Sequence, residues 1–221
     1  MNVDVVAQYW GLIVHGIGVT LALGLLSYLG ALLVGTLMAV FRVSPIPPLR
    51  VLGVVYVEVF RSIPLLSLLI IIVFGLPDAG LKLPLFWSAV VAGVLTSGAF
   101  VCETVRSGIN AVGAGQIEAA RSVGMSFPTI LGTVVLPQAF AAMVQPLTNV
   151  FIGTFLGTSL AAAVGVAELT NVTQQINVLT AEAVVTFLLA GVVYLVVSLA
   201  IGAAGGWVER RVRVPGSRGA A

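Results

Sequence analysis

Acid–base, metal or thiol chemistry in this 221-residue chain would have to rest on eight carboxylates, one histidine, one cysteine and one lysine. The acids are Asp4, Glu58, Asp78, Glu103, Glu118, Glu168, Glu182 and Glu209. Most lie near loops or at the ends of apolar runs, and none has metal-ligand spacing. His15 is alone in an apolar run, so no nucleophile–His–acid set assembles, and the imidazole suits a packed or lipid-facing position. Cys102 is also alone, which excludes an intrachain disulfide or a cysteine metal cluster. A phosphate-binding loop needs Gly-Lys-Ser/Thr so that lysine reaches the phosphates, and Lys82 stands in LKLP instead. No catalytic residue, no metal site and no bound cofactor are expected. If ATP drives this chain, a partner polypeptide binds the ATP and Mg and hydrolyses the nucleotide.

Three polar constellations remain. Glu58 and Arg61 are three apart and can pair on a helix, and Glu103 and Arg106 repeat the arrangement. Charge near a membrane span is costly and usually faces protein or water. For Arg61 and Arg106 the spacing favours interfacial pairing, with arginine snorkelling to the polar face. Glu103 fits such a pair or the lining of a cavity equally well. Glu182 opens the last apolar run, a structural position more than a functional one. The third constellation is EAARSVGMSFPTILGTVVLP, residues 118–137. Glu118, Ala119, Ala120 and Gly124 allow a short helix with a small-residue face that ends at glycine. That face would let a partner approach the backbone closely; a plain amphipathic connector would look the same.

The elements that must carry these groups are membrane helices. The chain is 59% apolar and only 8% charged, with a mean hydropathy of +1.16, against about 25% charged residues in soluble domains. A net charge of +2 gives no argument for nucleic acid. Length suggests a single domain over residues 1–221. About 20 residues cross the hydrocarbon core as helix, and apolar segments of that size run over 11–41, 51–76, 85–105, 128–157 and 181–207. The runs do not alternate with period two, so five helices are expected and not barrel strands. Gly24, Gly30 and Gly35 could form a close-packing face. MNVDVVAQYW has no basic residue, so the first run reads as a retained span, not a signal peptide.

Five spans place RVSPIPPLR (Arg42, Arg50), the 106–127 loop (Arg106, Arg121) and the tail (Arg210, Arg211, Arg213, Arg218) on one face. The other face has Asp4, Asp78, Lys82 and Glu168. Basic loops stay cytoplasmic, so the N-terminus is expected outside and the C-terminus in the cytosol. Trp10, Trp87 and Trp207 fall near span ends, where indole prefers the interface. Pro45, Pro47 and Pro48 should hold the first basic loop extended, and Pro137 and Pro146 should kink or break the fourth span. Residues 158–180 read as a half-buried outer segment over a cavity. No internal repeat stands out, which weighs against an inverted-repeat carrier. An ion-coupled carrier with Glu103 or Glu182 as its proton site, and a non-transporting scaffold, are the competing readings.

Glu118-Ala119-Ala120, Gly124, Val134, Leu136 and Pro137 together resemble the coupling motif of ABC importer permease subunits. The wider chain resembles the polar amino acid permeases, especially those for glutamate and glutamine. RVSPIPPLR, YVEVFRSIPLL, FGLP, TSGAFVCETVRSGINAV, GQIEAARSVGMS, VLPQA, TSLAAAVGVAEL and QQIN follow that family's order across a core of residues 11–212. The resemblance implies an all-α membrane protein of five transmembrane helices with the type I ABC importer permease fold and cytosolic coupling helices. It implies a multi-pass protein of the bacterial inner (plasma) membrane, surrounded by lipid. Partners would be cytosolic ABC ATPase subunits, a second permease subunit and an extracytoplasmic substrate-binding protein. Carried onto this chain, Glu118, Ala119, Ala120 and Gly124 would dock the ATPase, with Gln116 and Arg121 at the edge. The substrate path would involve Thr96, Ser97, Glu103, Asn149, Val150, Leu156, Gly157, Thr158 and Ser159. Relatives commonly carry Lys-Asp where Leu156-Gly157 stands here, and those taking cationic amino acids an acid where Val150 stands. That departure favours a heterodimer over a homodimer, the second permease supplying most substrate contacts. Glutamate, glutamine or aspartate is the first expectation for the substrate, other polar amino acids the next.

Overall fold

The computed structural model describes residues 4–212, all helix and connecting turns with no strand among them. The tail arginines Arg213 and Arg218 lie outside the described residues. A short α1 (Asp4–Gln8) leads into α2 (Trp10–Val43). The helices α3 (Pro47–Ser62) and α4 (Leu65–Ile70) follow, and α4 runs on through a π-helical turn at Ile71–Gly75 and a 3₁₀ turn at Pro77–Ala79. Next come α5 (Leu85–Asn110), α6 (Ala114–Ser122), α7 (Phe127–Ile130), a π-helical turn at Leu131–Val135 and α8 (Leu136–Gly157). A 3₁₀ segment at Thr158–Val164, α9 (Leu169–Thr180) and α10 (Ala183–Val212) complete the chain.

Four of these stretches are each long and apolar enough to cross a membrane: Trp10–Val43, Leu85–Asn110, Phe127–Val164 and Ala183–Val212. The second expected span is not one rod. Its halves, Pro47–Ser62 and Leu65–Ala79, meet at 101°. Pro64 is the cause. A residue before proline avoids the helical region, and Ile63 is extended at φ −87°, ψ 124°. The prolines of the first basic loop also differ from expectation. Pro47 does not hold the loop extended but opens α3, since a missing N–H is no loss in a first helical turn.

Helix contacts show that the bent pair still counts as one crossing. Along α2 and α5 the register rises together: Ser27 meets Gly93, Gly30 meets Val94, Gly35 meets Gly98, and Arg42 meets Glu103. The two helices are therefore parallel, and α3–α4 must return the chain once between them. α8 runs the other way, with Gly24 against Phe155, Tyr28 against Leu147, Ser97 against Thr154 and Gly108 against Met143. α10 reverses again, with Tyr194 near Phe155 and Gly205 on Thr148. The C-terminal ends of α2, α5 and α10 thus share one face, which carries Arg42, Arg106, Arg210 and Arg211.

The packing follows from size more than from polarity. The buried face of α2 is Gly16, Thr20, Leu23, Gly24, Ser27, Ala31, Gly35 and Ala39, while Leu33, Leu37 and Val40 point outward. Helix contact in lipid gains little from hydrophobicity and much from close approach. At Gly35 a Cβ would stand 2.5 Å from the Gly98 carbonyl oxygen, so only glycine permits that contact. Gly24 belongs to a different face from Gly30 and Gly35: it meets Phe155 and Thr158, whereas they meet α5. His15 is exposed on the outside of α2.

The fourth span is continuous. Pro146 lies inside α8 without ending it. Pro137 sits in the first turn of α8, directly after the π-helical turn, where the Leu136 amide reaches back to Leu131. A widened turn is a common accommodation of a disturbed hydrogen-bond ladder. Residues 158–180 are more deeply packed than expected: Leu169, Val172 and Ile176 are fully buried against α2 and α10.

Candidate functional site

Four polar regions stand out along the helices. The first is the loop after α5. Gly113 precedes α6 and Gly124 follows it with φ +82°. The Gly124 amide donates to the Arg121 carbonyl at 2.9 Å and the Met125 amide to the Ala120 carbonyl at 3.2 Å. That pair of bonds is the Schellman stop, which needs the left-handed conformation glycine supplies. Gln116, Glu118, Ala119 and Arg121 face outward. Ala120 does not. At 8% exposure it packs with Val112, Ile130, Val135 and Ala139, so it anchors α6 to the body and is not itself a docking surface. The i, i+3 and i+4 geometry of one short helix forces some of its residues inward. Gln138 on α8 donates to Gln116 and also to the Val134 carbonyl. Beside this polar helix Val123 and Phe127 are 77% and 66% exposed. Sequence reading passed over both. Their signal was two bulky apolar residues flanking a glycine stop.

The second region is the basic end of α2 and α5. Glu103 accepts from Arg42 and from Arg106, the latter at 2.9 Å. The Glu103–Arg106 pair matches its spacing. The contact of Arg42 with Glu103 was missed because 61 residues of sequence separate them. Glu58 and Arg61 are exposed and make no ion pair with each other.

The third region lies between α2, α4, α5 and α8. A cavity of about 10 Å³, room for about one water molecule, is lined by Ser27, Leu65, Gly93, Ser97, Thr154 and Gly157, with Thr158 and Ala161 among the remaining walls. Thr154 donates to Ser97 at 2.7 Å, and the Ser27 hydroxyl has no partner. No charged side chain lines it. Of the residues expected on a path, Ser97, Gly157 and Thr158 meet here. Thr96 sits on another face of α5 with its hydroxyl unpartnered. Asn149 and Leu156 face outward, Val150 contributes its carbonyl to Thr154, and the Ser159 hydroxyl bonds the Leu156 carbonyl. Glu103 is not at the cavity but at the basic end, because α5 carries it six residues, about 9 Å, further along than Ser97.

The fourth is a carboxylate that the sequence placed within the half-buried segment 158–180, on the face away from the arginines. Glu168 is fully buried. It caps α9, taking the Asn171 amide at 2.7 Å and the Thr170 amide at 2.9 Å, and it accepts the Tyr194 hydroxyl at 2.8 Å and, more weakly, the Thr20 hydroxyl at 3.4 Å. Thr20 in turn accepts the Leu169 amide at 3.0 Å. Three elements, α2, α9 and α10, therefore converge on one acid. A lone acid within the apolar GVAEL was the available signal.

Similarity to known proteins agrees with this geometry. Residues 31–214 match the family model described as binding-protein-dependent transport system inner membrane component. The probable glutamine ABC transporter permease protein GlnM of Bacillus subtilis is 31% identical over 212 residues, covering 96% of this chain and 98% of that one. The L-cystine transport system permease protein TcyB of the same organism is 35% identical, covering 95% and 90%. The glutamate transport system permease protein GluC of Corynebacterium glutamicum is 33% identical, covering 89% and 92%. A crystal structure of an amino acid ABC transporter with histidines superimposes with a TM-score of 0.88 at 33% identity, over 96% of this chain and all of that one. An inward-facing MetNI methionine ABC transporter superimposes with a TM-score of 0.74 at 26% identity, over 97% of this chain.

Proposed function

The chain belongs to the binding-protein-dependent transport system inner membrane component family, and from that premise we propose how its two ends divide the work of import. It is a membrane-spanning permease subunit of an amino acid ABC importer, a transport component and not an enzyme. Such a family implies an ATPase and a substrate-binding protein as partners. The proposal concerns what is finer than that: the docking residues, the second permease, the substrate and the orientation.

The observation that carries the proposal is the exposed α6 loop on the Arg-rich face. Glu118, Ala119, Arg121 and Gln116 point away from the body beside exposed Val123 and Phe127, and Gly124 fixes where the helix stops. We assign this surface to a cytosolic ATPase subunit, which binds the ATP and Mg. The Arg-rich face is then cytosolic and the N-terminus outside, as retention of basic loops requires. Closure of the ATPase pair would bias the permease between inward- and outward-facing states, which a ligand can do only by favouring one of them.

The substrate end is assigned to a heterodimer. The cavity within this chain is neutral and, at about 10 Å³, too small for an amino acid. A zwitterion needs charged or strongly polar partners once it leaves water. Asn149 and Leu156 face outward, where a second permease would complete the path. Glutamate, glutamine or aspartate is the favoured substrate, as in the names of the glutamine and glutamate relatives. The test is uptake in proteoliposomes holding both permeases, the ATPase and the binding protein. Labelled glutamine or glutamate should enter only with ATP and should continue when the proton gradient is collapsed. Gradient-dependent, ATP-independent uptake would overturn the assignment, and full uptake with this chain as sole permease would overturn the heterodimer.

A further inference from the structure

We propose that the small cavity between α2, α4, α5 and α8 holds one ordered water molecule, which accepts from the Ser27 hydroxyl and donates to hydroxyl oxygens of α8 and the 3₁₀ segment. Ser27 is 1% exposed. Among the buried polar residues of the described chain it alone has no hydrogen-bond partner. A hydroxyl inside a membrane helix commonly bonds the carbonyl four residues back. Thr148 does so with Val144, Thr154 with Val150 and Thr186 with Glu182. The Ser27 hydroxyl makes no such bond to Leu23 and lines the cavity instead. Leaving a buried hydroxyl unpaired is costly.

Size and chemistry fix the occupant. A volume of about 10 Å³ is room for one water and for nothing larger. An apolar void stays dry, whereas a buried water needs about two to four polar partners. Ser97, Thr154 and Thr158 line the cavity beside Ser27 and supply them. Thr158 donates to the Phe155 carbonyl at 2.7 Å, and Thr154 donates to the Val150 carbonyl at 2.8 Å or to Ser97 at 2.7 Å. A hydroxyl has one proton and two lone pairs, so both threonines keep an acceptor site for a water proton. Ser27 keeps its own proton, which the water oxygen accepts. Two glycines hold the space open: a Cβ at Gly93 would stand 2.6 Å from Ser27 Oγ, and one at Gly157 3.1 Å from Leu65 Cδ2. Leu65 and Gly157 are half-buried, so water enters past them. Thr154 and Ser97 join α8 to α5 directly, and the water ties α2 to that pair. The inference rests on packing alone and stands apart from the docking, substrate and second-permease assignments.

The test uses the complete transporter in lipid nanodiscs. A cryo-EM map that resolves ordered water should show one peak in the cavity, about 2.8 Å from Ser27 Oγ and within hydrogen-bond distance of Thr154 or Thr158. Thermal unfolding of the same preparation is the second readout. If Ser27 bonds a water, Ser27→Ala removes that bond, and the unfolding midpoint should fall by about 2–4 °C. If Ser27 is unpaired, the same change relieves an unmet hydroxyl and the midpoint holds or rises. Thr96→Val is the reference. The Thr96 hydroxyl is also unpartnered but lies outside the cavity lining, so its removal should leave the midpoint level or raise it. A cavity without a peak, or a Ser27→Ala midpoint at or above that of the wild type, would overturn the proposal.

Discussion

The two ends of this permease are built on opposite principles. At the end away from the arginines a buried carboxylate, Glu168, takes donors from the α9 amides, Tyr194 and Thr20, and nothing polar there is left to spare. At the Arg-rich end α6 is held by Ala120 and one glutamine pair, while Val123, Phe127, Glu118 and Arg121 stand exposed. A closed polar cluster in lipid is a means of fixing helices to one another. An exposed loop with apolar and charged side chains side by side is a means of meeting something else. The first region should therefore respond to mutation in stability, and the second in coupling with stability nearly unchanged.

The largest expected effect is at Glu168. Glu168→Ala strands two amides and two hydroxyls in a dry site, each costing about 1–3 kcal/mol, so thermal unfolding in detergent should shift by the equivalent of several kcal/mol. Glu168→Gln, which keeps one acceptor, should fall between. A wild-type melting temperature for Glu168→Ala would erase the contrast between the two ends. Next in size is Glu103→Gln, which leaves Arg42 and Arg106 without their anion. The pair is partly exposed, so about 1–2 kcal/mol is expected after screening, together with weakened α2–α5 contact, measurable by hydrogen exchange at the ends of those helices. Gly124→Val should cost about 1–2 kcal/mol, since a left-handed conformation opposes a β-branched side chain, and should misdirect the loop after α6. Val123→Asp is expected within about 0.5 kcal/mol of wild type in stability yet to weaken ATPase binding, measurable by pull-down of the ATPase.

Much of the fold was legible, because apolar length and arginine placement are one-dimensional signals. Five crossings and the shared basic face follow from them. The break at Pro64 was missed since the flanking residues are apolar enough to continue a span. The loop helix and its glycine stop were readable from EAARSVG, but not that Ala120 would turn inward, which depends on the packing of Ile130 and Ala139. The buried role of Glu168 and the Arg42–Glu103 contact rest on pairs far apart in sequence, Thr20 with Glu168 and α2 with α5. No local pattern records such pairs. The same holds for the placement of Glu103 away from Ser97, although both stand on α5.

The central claim is that the α6 surface transmits ATP hydrolysis to this permease. It is tested most directly by substrate-stimulated ATPase activity and uptake in proteoliposomes carrying Glu118→Lys or Ala119→Trp, with assembly of the membrane subunits verified by size exclusion. Both variants should fold and insert normally while uptake falls by about tenfold or more, the equivalent of 1.4 kcal/mol of lost docking. Wild-type uptake and wild-type ATPase stimulation in both would contradict the account.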